Sequence, residues 1–184
     1  MKDKAFQLGI IVGRFQTFHT GHLDMVEKAC AICKRVGIFV GSAQESGTLK
    51  NPFTYEARRQ MLQRVFGSRV EIYPLPDIGV GNNAKWGDYV LENVRRRFGK
   101  TPDLLVSGKE ARRIDWFDSS VGVTVAELYV PKTIDMSATR MREFFLEDNR
   151  AEWQAYTPSA LWDAYDSMRQ TVLAAKDHLE TDSI

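Results

Sequence analysis

The chain has 184 residues, 43% of them hydrophobic, which is enough for one ordinary core and so for one domain. Twenty-five lysines and arginines stand against 24 acidic residues, a net charge of +1, so no overall field gathers nucleic acid or an anionic membrane. No apolar window reaches membrane-spanning length, Arg14 cuts short the apolar run near the N-terminus, and no small-residue cleavage site follows; a cytoplasmic protein is expected.

Apolar runs alternate with helical periodicity along the chain. Phe6 to Val12 reads as a first strand. Leu23, Val26, Cys30 and Cys33 mark one face of a helix up to about Arg35, and Val36 to Val40 is a second strand. Cys30 and Cys33 are the only cysteines. Their C-x-x-C spacing invites a redox or zinc reading, but no second ligand pair exists and the pair sits toward a helix C-terminus; small core residues account for them better. After a polar loop, Thr54 is a natural N-cap for a helix whose buried face is Ala57, Met61, Leu62 and Val65. Val70 to Tyr73 is a third strand, Pro74 to Asn83 a turn-rich loop, Ala84 to Phe98 a helix, Asp103 to Ser107 a fourth strand and Val123 to Val130 a fifth. From Ser137 the chain is helical in two or three pieces punctuated by Asn149 and Pro158, with Leu161, Tyr165, Met168 and Val172 as the last apolar stripe. The pattern predicts an α/β fold: a Rossmann-like, doubly wound, five-stranded parallel sheet with C-terminal helices, in a single domain over 1–184 with a core of about 5–146 and a helical extension 147–184.

Such sheets bind ligands beyond the carboxyl ends of their strands. There, after the first strand, stands G-R-F-Q-T-F-H-T-G-H, Gly13 to His22, with two of the three histidines of the chain. Gly13 suits a sharp turn, and Gly21 a close backbone approach to a ligand at the start of the helix. Free N–H groups and the helix dipole at that point make an anion site, to which His19, His22 and Arg14 add phosphate-binding groups. No G-x-x-x-x-G-K-[ST] is present, and the G-x-G-x-x-A of Gly79 to Ala84 follows two prolines with no ribose-binding acid downstream, so it reads as a flexible loop. A second cluster, M-S-A-T-R-M-R from Met136 to Arg142, would by itself be a helix capped by Ser137 with exposed arginines.

Together, G-R-F-Q-T-F-H-T-G-H and S-A-T-R-M-R resemble the nucleotidyltransferase superfamily with the H-x-G-H signature. Gly41 to Arg59, G-S-A-Q-E-S-G-T-L-K-N-P-F-T-Y-E-A-R-R, and P-L-P-D-I from Pro74 to Ile78 are similar to nicotinamide mononucleotide (NMN) adenylyltransferases of the archaeal type, including the transferase half of bacterial proteins fused to a Nudix domain. The similarity spans roughly Gly9 to Phe145, and no Nudix signature is visible in these residues. It implies adenylyl transfer from ATP to NMN, giving NAD and pyrophosphate, by a homo-oligomeric enzyme with no nucleic-acid or membrane partner. It assigns His19 and His22 to the ATP phosphates, His22 as the main transition-state contact, with Arg14 and Arg142 on the triphosphate. Gly13, Phe15, Gln16 and Gly21 belong to the same ATP site, Ser107 and Gly108 lie near adenine and ribose, and Ser137 and Thr139 meet the phosphates. On the acceptor side it implies Phe53, Asp77, Asn83 and a stacking Trp86, with Asn82 as the alternative to Asn83 because the loop is about two residues longer than usual.

Thr17 stands where the family usually has proline, and Ala57 where it has glutamate before the arginine that is Arg58 here. No carboxylate cluster accompanies the motifs, so no protein metal site is expected and Mg²⁺ is carried by the ATP phosphates and water. Two rival readings stay open: another nucleotidyltransferase taking a different phosphate acceptor, such as phosphopantetheine or flavin mononucleotide, and a nucleotide sensor without turnover.

Overall fold

A computed structural model describes residues 3–81, 83–108, 116–117, 125–131 and 135–181. Among them, β1 (Phe6–Gly13), β2 (Cys33–Gly41), β3 (Glu71–Leu75), β4 (Leu104–Ser107) and β5 (Ala126–Tyr129) form one sheet in the order β3-β2-β1-β4-β5. Every neighbouring pair is parallel, the doubly wound arrangement that the alternation predicts. The helices are α1 (Thr20–Ile32), α2 (Tyr55–Phe66), α3 (Ala84–Phe98), α4 (Ala138–Leu146), α5 (Arg150–Ala155) and α6 (Tyr165–Thr181), with 3-10 turns at Gly67–Arg69 and Ser159–Ala164. None is long and apolar enough to cross a membrane.

Successive strand side chains point to opposite faces, so a strand covered on both sides must be apolar at both parities. In β1, Leu8 and Ile10 join Phe39, Leu105 and the α3 residues Val90 and Val94 on one face. Ile11 joins the core shared by α1, α2 and the C-terminal helices on the other. From β3 the chain crosses through α3 to the far side of β1, so the strand order reverses between β1 and β4, where a crevice opens at the carboxyl edge.

Three boundaries differ from the sequence reading. Helix α1 ends at Ile32, and Cys33 takes extended backbone as it pairs with Phe6 to open β2. Cys30 and Cys33 therefore do not share a helix face. Both are free thiols, pushed up by burial, Cys33 to about 11, which fits packing rather than reactivity. Strand β3 runs on to Leu75 through Pro74, which an edge strand tolerates because it has one free side. The predicted start of the fifth strand, Val123 and Thr124, lies outside the described residues; β5 begins at Ala126. Thr54 caps α2 as expected, accepting from the Ala57 amide at 3.2 Å. The buried face, however, is Arg58, Met61, Leu62 and Phe66, one residue on from the predicted stripe, and Ala57 and Val65 are only partly covered.

The last apolar stripe is buried as predicted: Leu161, Tyr165, Met168 and Val172 enter the same core as Phe15 and Phe18. Two hydrogen bonds tie that end of the chain to the loop after β1. The Thr17 hydroxyl donates to Ala138 O at 3.2 Å, and Thr20 N–H donates to Tyr156 O at 2.8 Å. On the opposite face, a Cβ at Gly87 in α3 would lie 1.5 Å from Trp116 O, so the α3 backbone touches that of Trp116 there.

Gly87→Ala is accordingly expected to destabilise the protein by about 1–3 kcal/mol, because one backbone must move to admit the methyl group. A lowered urea midpoint checks this; an unchanged midpoint would show that α3 and Trp116 do not pack in this way.

Candidate functional site

The carboxyl edge of the sheet holds a cavity of about 800 Å³. Of the residues singled out in the sequence, Gly13, Arg14, Phe15, Gln16, His19, Gly21, His22, Asp77, Trp86, Gly108, Ser137 and Arg142 line it. Phe53, Ser107, Thr139 and Asn83 are not among its lining residues, and Asn82 lies outside the described residues. Phe53 is core, its N–H and C=O clasped by the Gln16 side-chain amide at 3.0 and 3.3 Å. Asn83 caps α3, accepting from the Trp86 amide at 3.3 Å. Ser107 is buried at the end of β4, and its carbonyl accepts from Val130 N–H at 2.8 Å. The Thr139 hydroxyl accepts from Arg142 at 3.1 Å, which places it behind the guanidinium.

The loop after β1 turns at Phe15, whose φ of 50° is left-handed, while Gly13 is still paired in β1. Ser42, at the end of β2, has φ 47°. Such backbones cost non-glycine residues about 1–3 kcal/mol each and persist only where surrounding structure holds them. His19 is the N-cap of α1: its Nδ1 accepts from Gly21 N–H at 3.2 Å, so in the neutral ring the proton sits on Nε2. Gly21 makes room for this, since a Cβ there would lie 3.0 Å from the His19 ring. The expected free amides at the start of α1 are therefore already used, Thr20 by Tyr156 O and Gly21 by His19. The open helix N-terminus in the cavity belongs to α4. There Ser137 Oγ takes the Arg140 amide at 3.1 Å, while Ser137 and Ala138 face the cavity.

The His19 and His22 rings lie tilted against each other with centroids 3.9 Å apart, and Phe15 and Phe18 flank His22 at 4.9 and 5.7 Å. Burial, and then the charge His19 can carry, hold His22 well below the usual histidine range, so it is neutral at pH 7. Its Nδ1 is sealed from solvent with no hydrogen-bond partner among the described residues. Arg142 is lowered by burial and then by Arg14, so two guanidinium groups face one space. That combination of fixed positive charge, imidazoles and a helix N-terminus binds phosphate groups.

On the α3 side, Asp77 and the Ile78–Gly81 loop line the cavity with Trp86. Trp86 meets Trp116 edge-on at 6.4 Å and Tyr89 at 5.5 Å. Sequence reasoning missed Trp116, which sits outside any periodic element. It also missed the role of Arg58, although Arg58 is in helical phase with Met61, Leu62 and Phe66. Arg58 is fully buried, and four of its N–H groups reach the carbonyls of Arg14 and Gly41 (both 2.8 Å), Ser42 (3.0 Å) and Thr54 (3.2 Å).

Residues 10–144 match the model of the cytidylyltransferase-like family. The nicotinamide-nucleotide adenylyltransferase of Thermococcus kodakarensis is 44% identical over 159 residues, covering 83% of this chain and 79% of that protein. The Thermococcus onnurineus protein of the same name is 34% identical over 158 residues, with the same coverage. Among solved structures, a bifunctional NMN adenylyltransferase/ADP ribose pyrophosphatase from Francisella tularensis, complexed with AMP and a manganese ion, shares the fold with a TM-score of 0.71 at 22% identity. The match covers 96% of this chain and 54% of that one, so this chain spans about half of the bifunctional protein. With the family model spanning both phosphate motifs, the chain belongs to the cytidylyltransferase-like nucleotidyltransferases, in the family of the nicotinamide-nucleotide adenylyltransferases.

Proposed function

We propose that the protein transfers the adenylyl group of ATP to the 5′-phosphate of NMN, giving NAD and pyrophosphate. The observation that carries this reading is the meeting of two chemistries in one cavity. Arg14, Arg142, His19, His22 and the α4 N-terminus line the same space as the Trp86 indole and the Asp77 carboxylate. The names of the relatives at 44% and 34% identity support the same reaction.

A phosphate monoester has a second pKa of about 6, so the NMN phosphate is mostly dianionic at pH 7 and needs no general base. One of its oxygens bonds to the α-phosphorus of ATP as the bond to the β-phosphate bridging oxygen breaks, and pyrophosphate leaves with that electron pair. Charge grows on the non-bridging oxygens and the leaving group, where His22, Arg14, Arg142 and the amides of the α4 N-terminus oppose it. Because His22 is neutral before nucleotide binds, it meets the phosphates as a hydrogen-bond donor or takes up a proton with them. The cavity lining offers two carboxylates, Asp24 and Asp77, and no group of three metal-ligating side chains occurs among the described residues. A hydrated Mg²⁺ that enters as part of MgATP fits this donor set.

The direct test mixes protein, MgATP and NMN and reads NAD with a coupled dehydrogenase. NAD formation supports the proposal, turnover only with another phosphate acceptor replaces NMN, and nucleotide binding without turnover makes the protein a sensor. His22→Ala is expected to lower kcat by roughly two to four orders of magnitude with little change in the KM for NMN, the scale of a lost transition-state stabiliser. Steady-state kinetics checks this, and a near-wild-type kcat removes His22 from the mechanism. Arg142→Ala is expected to weaken ATP binding as well as rate, because a guanidinium grips the triphosphate before and during reaction. Calorimetry showing unchanged ATP affinity would contradict this. Trp86→Ala should raise the KM for NMN about 3- to 30-fold and that for ATP less, since a pyridinium stacked on indole gains about 0.5–2 kcal/mol. Equal weakening of both substrates would indicate loss of packing with Trp116 instead.

A further inference from the structure

Arg58 has no carboxylate within ion-pair distance among the described residues, yet it is fully buried. A buried charge without a counter-ion is costly unless dipoles surround it, and here carbonyl oxygens supply them. The choice of carbonyls is informative. Those of Arg14 and Gly41 belong to the peptides that immediately precede Phe15 and Ser42, the two left-handed residues at the ends of β1 and β2. One terminal nitrogen, Nη1, donates to both, and Nη2 donates to Ser42 O on the following peptide. The fourth bond, Nε to Thr54 O, anchors the fork to the first turn of its own helix. A planar guanidinium presents its donors in a fixed geometry, so it sets the spacing of the two strand ends as well as joining them.

Arg14 and Arg58 repel each other in the free protein: burial lowers Arg58 and Arg14 lowers it further, against a weaker opposing pull from Asp77. A tie needed only for stability gains nothing from a second positive charge beside Arg14. A tie beneath a triphosphate does, because the incoming anion relieves that repulsion.

We propose that Arg58 is a positioning residue for ATP: its guanidinium fixes the Phe15 and Ser42 turns so that the Arg14 side of the cavity is organised before the triphosphate arrives. This rests on the reading of the cavity as a nucleotide site and is independent of which acceptor is used.

The test is Arg58→Lys, which keeps the charge but cannot span four carbonyls. Displacing the Arg14 rim by a fraction of an ångström to an ångström is expected to lower ATP affinity by calorimetry and kcat/KM for ATP roughly 10- to 100-fold. In the same variant the KM for NMN should stay within about 3-fold, because lysine keeps the positive charge that acts on Asp77 and Trp86 belongs to α3. Arg59→Lys, an exposed position on the same helix, serves as the control and should leave both unchanged. Wild-type ATP affinity and kcat in a folded Arg58→Lys protein overturn the proposal, as does a lowered melting temperature with unaltered kinetics, which makes Arg58 a packing residue only. If Arg58→Lys does not fold, hydrogen exchange on the wild type decides. Amides of Phe15, Gln16, Ser42 and Ala43 should already be slow without nucleotide, and ATP should slow them less than about 2-fold further. Exchange that ATP slows by about 10-fold or more means that nucleotide organises the turns, and the proposal fails. Because ATP binding is read without NMN, a wild type that binds ATP but makes no NAD refutes the acceptor and leaves the comparison at Arg58 intact.

Discussion

The arrangement is governed by the convergence of like charge at the carboxyl edge of the sheet. Arg14, Arg58 and Arg142 lie close enough that Arg14 lowers both of the others, and two imidazoles in close contact line the same cavity as Arg14 and Arg142. Many arginines elsewhere meet acids: Arg35 pairs with Glu71, Arg69 with Glu27, Arg64 with Asp163 and Arg140 with Glu143 and Glu147. In and just behind the cavity the hydrogen bonds are to neutral oxygens instead. Arg14 reaches the Asn51 side chain at 3.4 Å, Arg142 the Thr139 hydroxyl, and Arg58 four carbonyls. Neutral acceptors orient a guanidinium without cancelling its charge, so the field is left for an anionic ligand.

Holding that field together requires a stiff frame. β1 sits at the centre of the sheet between β2 and β4 with apolar residues on both faces, so the loop leaving it starts from a strand held on both sides. The loop is then fastened in three directions. Gln16 clasps the Phe53 backbone, Arg58 ties the loop to the end of β2, and Thr17 and Thr20 bond to α4 and to the turn after α5. The Thr17 bond gives a physical account of a position where the related enzymes usually carry proline: the ring restricts backbone freedom, and here a hydroxyl holds the loop to Ala138.

Periodicity and punctuation carried most of the architecture. The apolar run of β1, the Thr54 and Ser137 caps and the Leu161–Val172 stripe were legible because each is a local pattern. What was not legible depended on distant partners. α1 stops at Ile32 because Cys33 finds Phe6 across the sheet, and Pro74 remains in a strand because β3 lies at the edge. The same holds at the site. The two motifs drew His19, His22, Arg14 and Arg142 to one cavity, but the amides of α1 proved to be occupied by Tyr156 O and the His19 ring. Arg58 looks like any surface arginine until the four carbonyls around it are seen. Trp116 has no local signal at all, and a glycine in α3, distant in sequence, is what admits its backbone.

The bonds from Thr17 and Thr20 to the C-terminal helices also set an order of assembly during synthesis. Thr17 is 121 residues from Ala138, and Tyr156 lies further still. A chain emerging from the ribosome N-terminus first has β1, β2 and the histidine loop long before it has anything to fasten that loop with. The strands can pair early, because β1 and β2 are neighbours in both sequence and space. The capped start of α1 takes this partner only once Tyr156 has been made, so the loop that carries the two histidines is fastened well after its own residues have emerged.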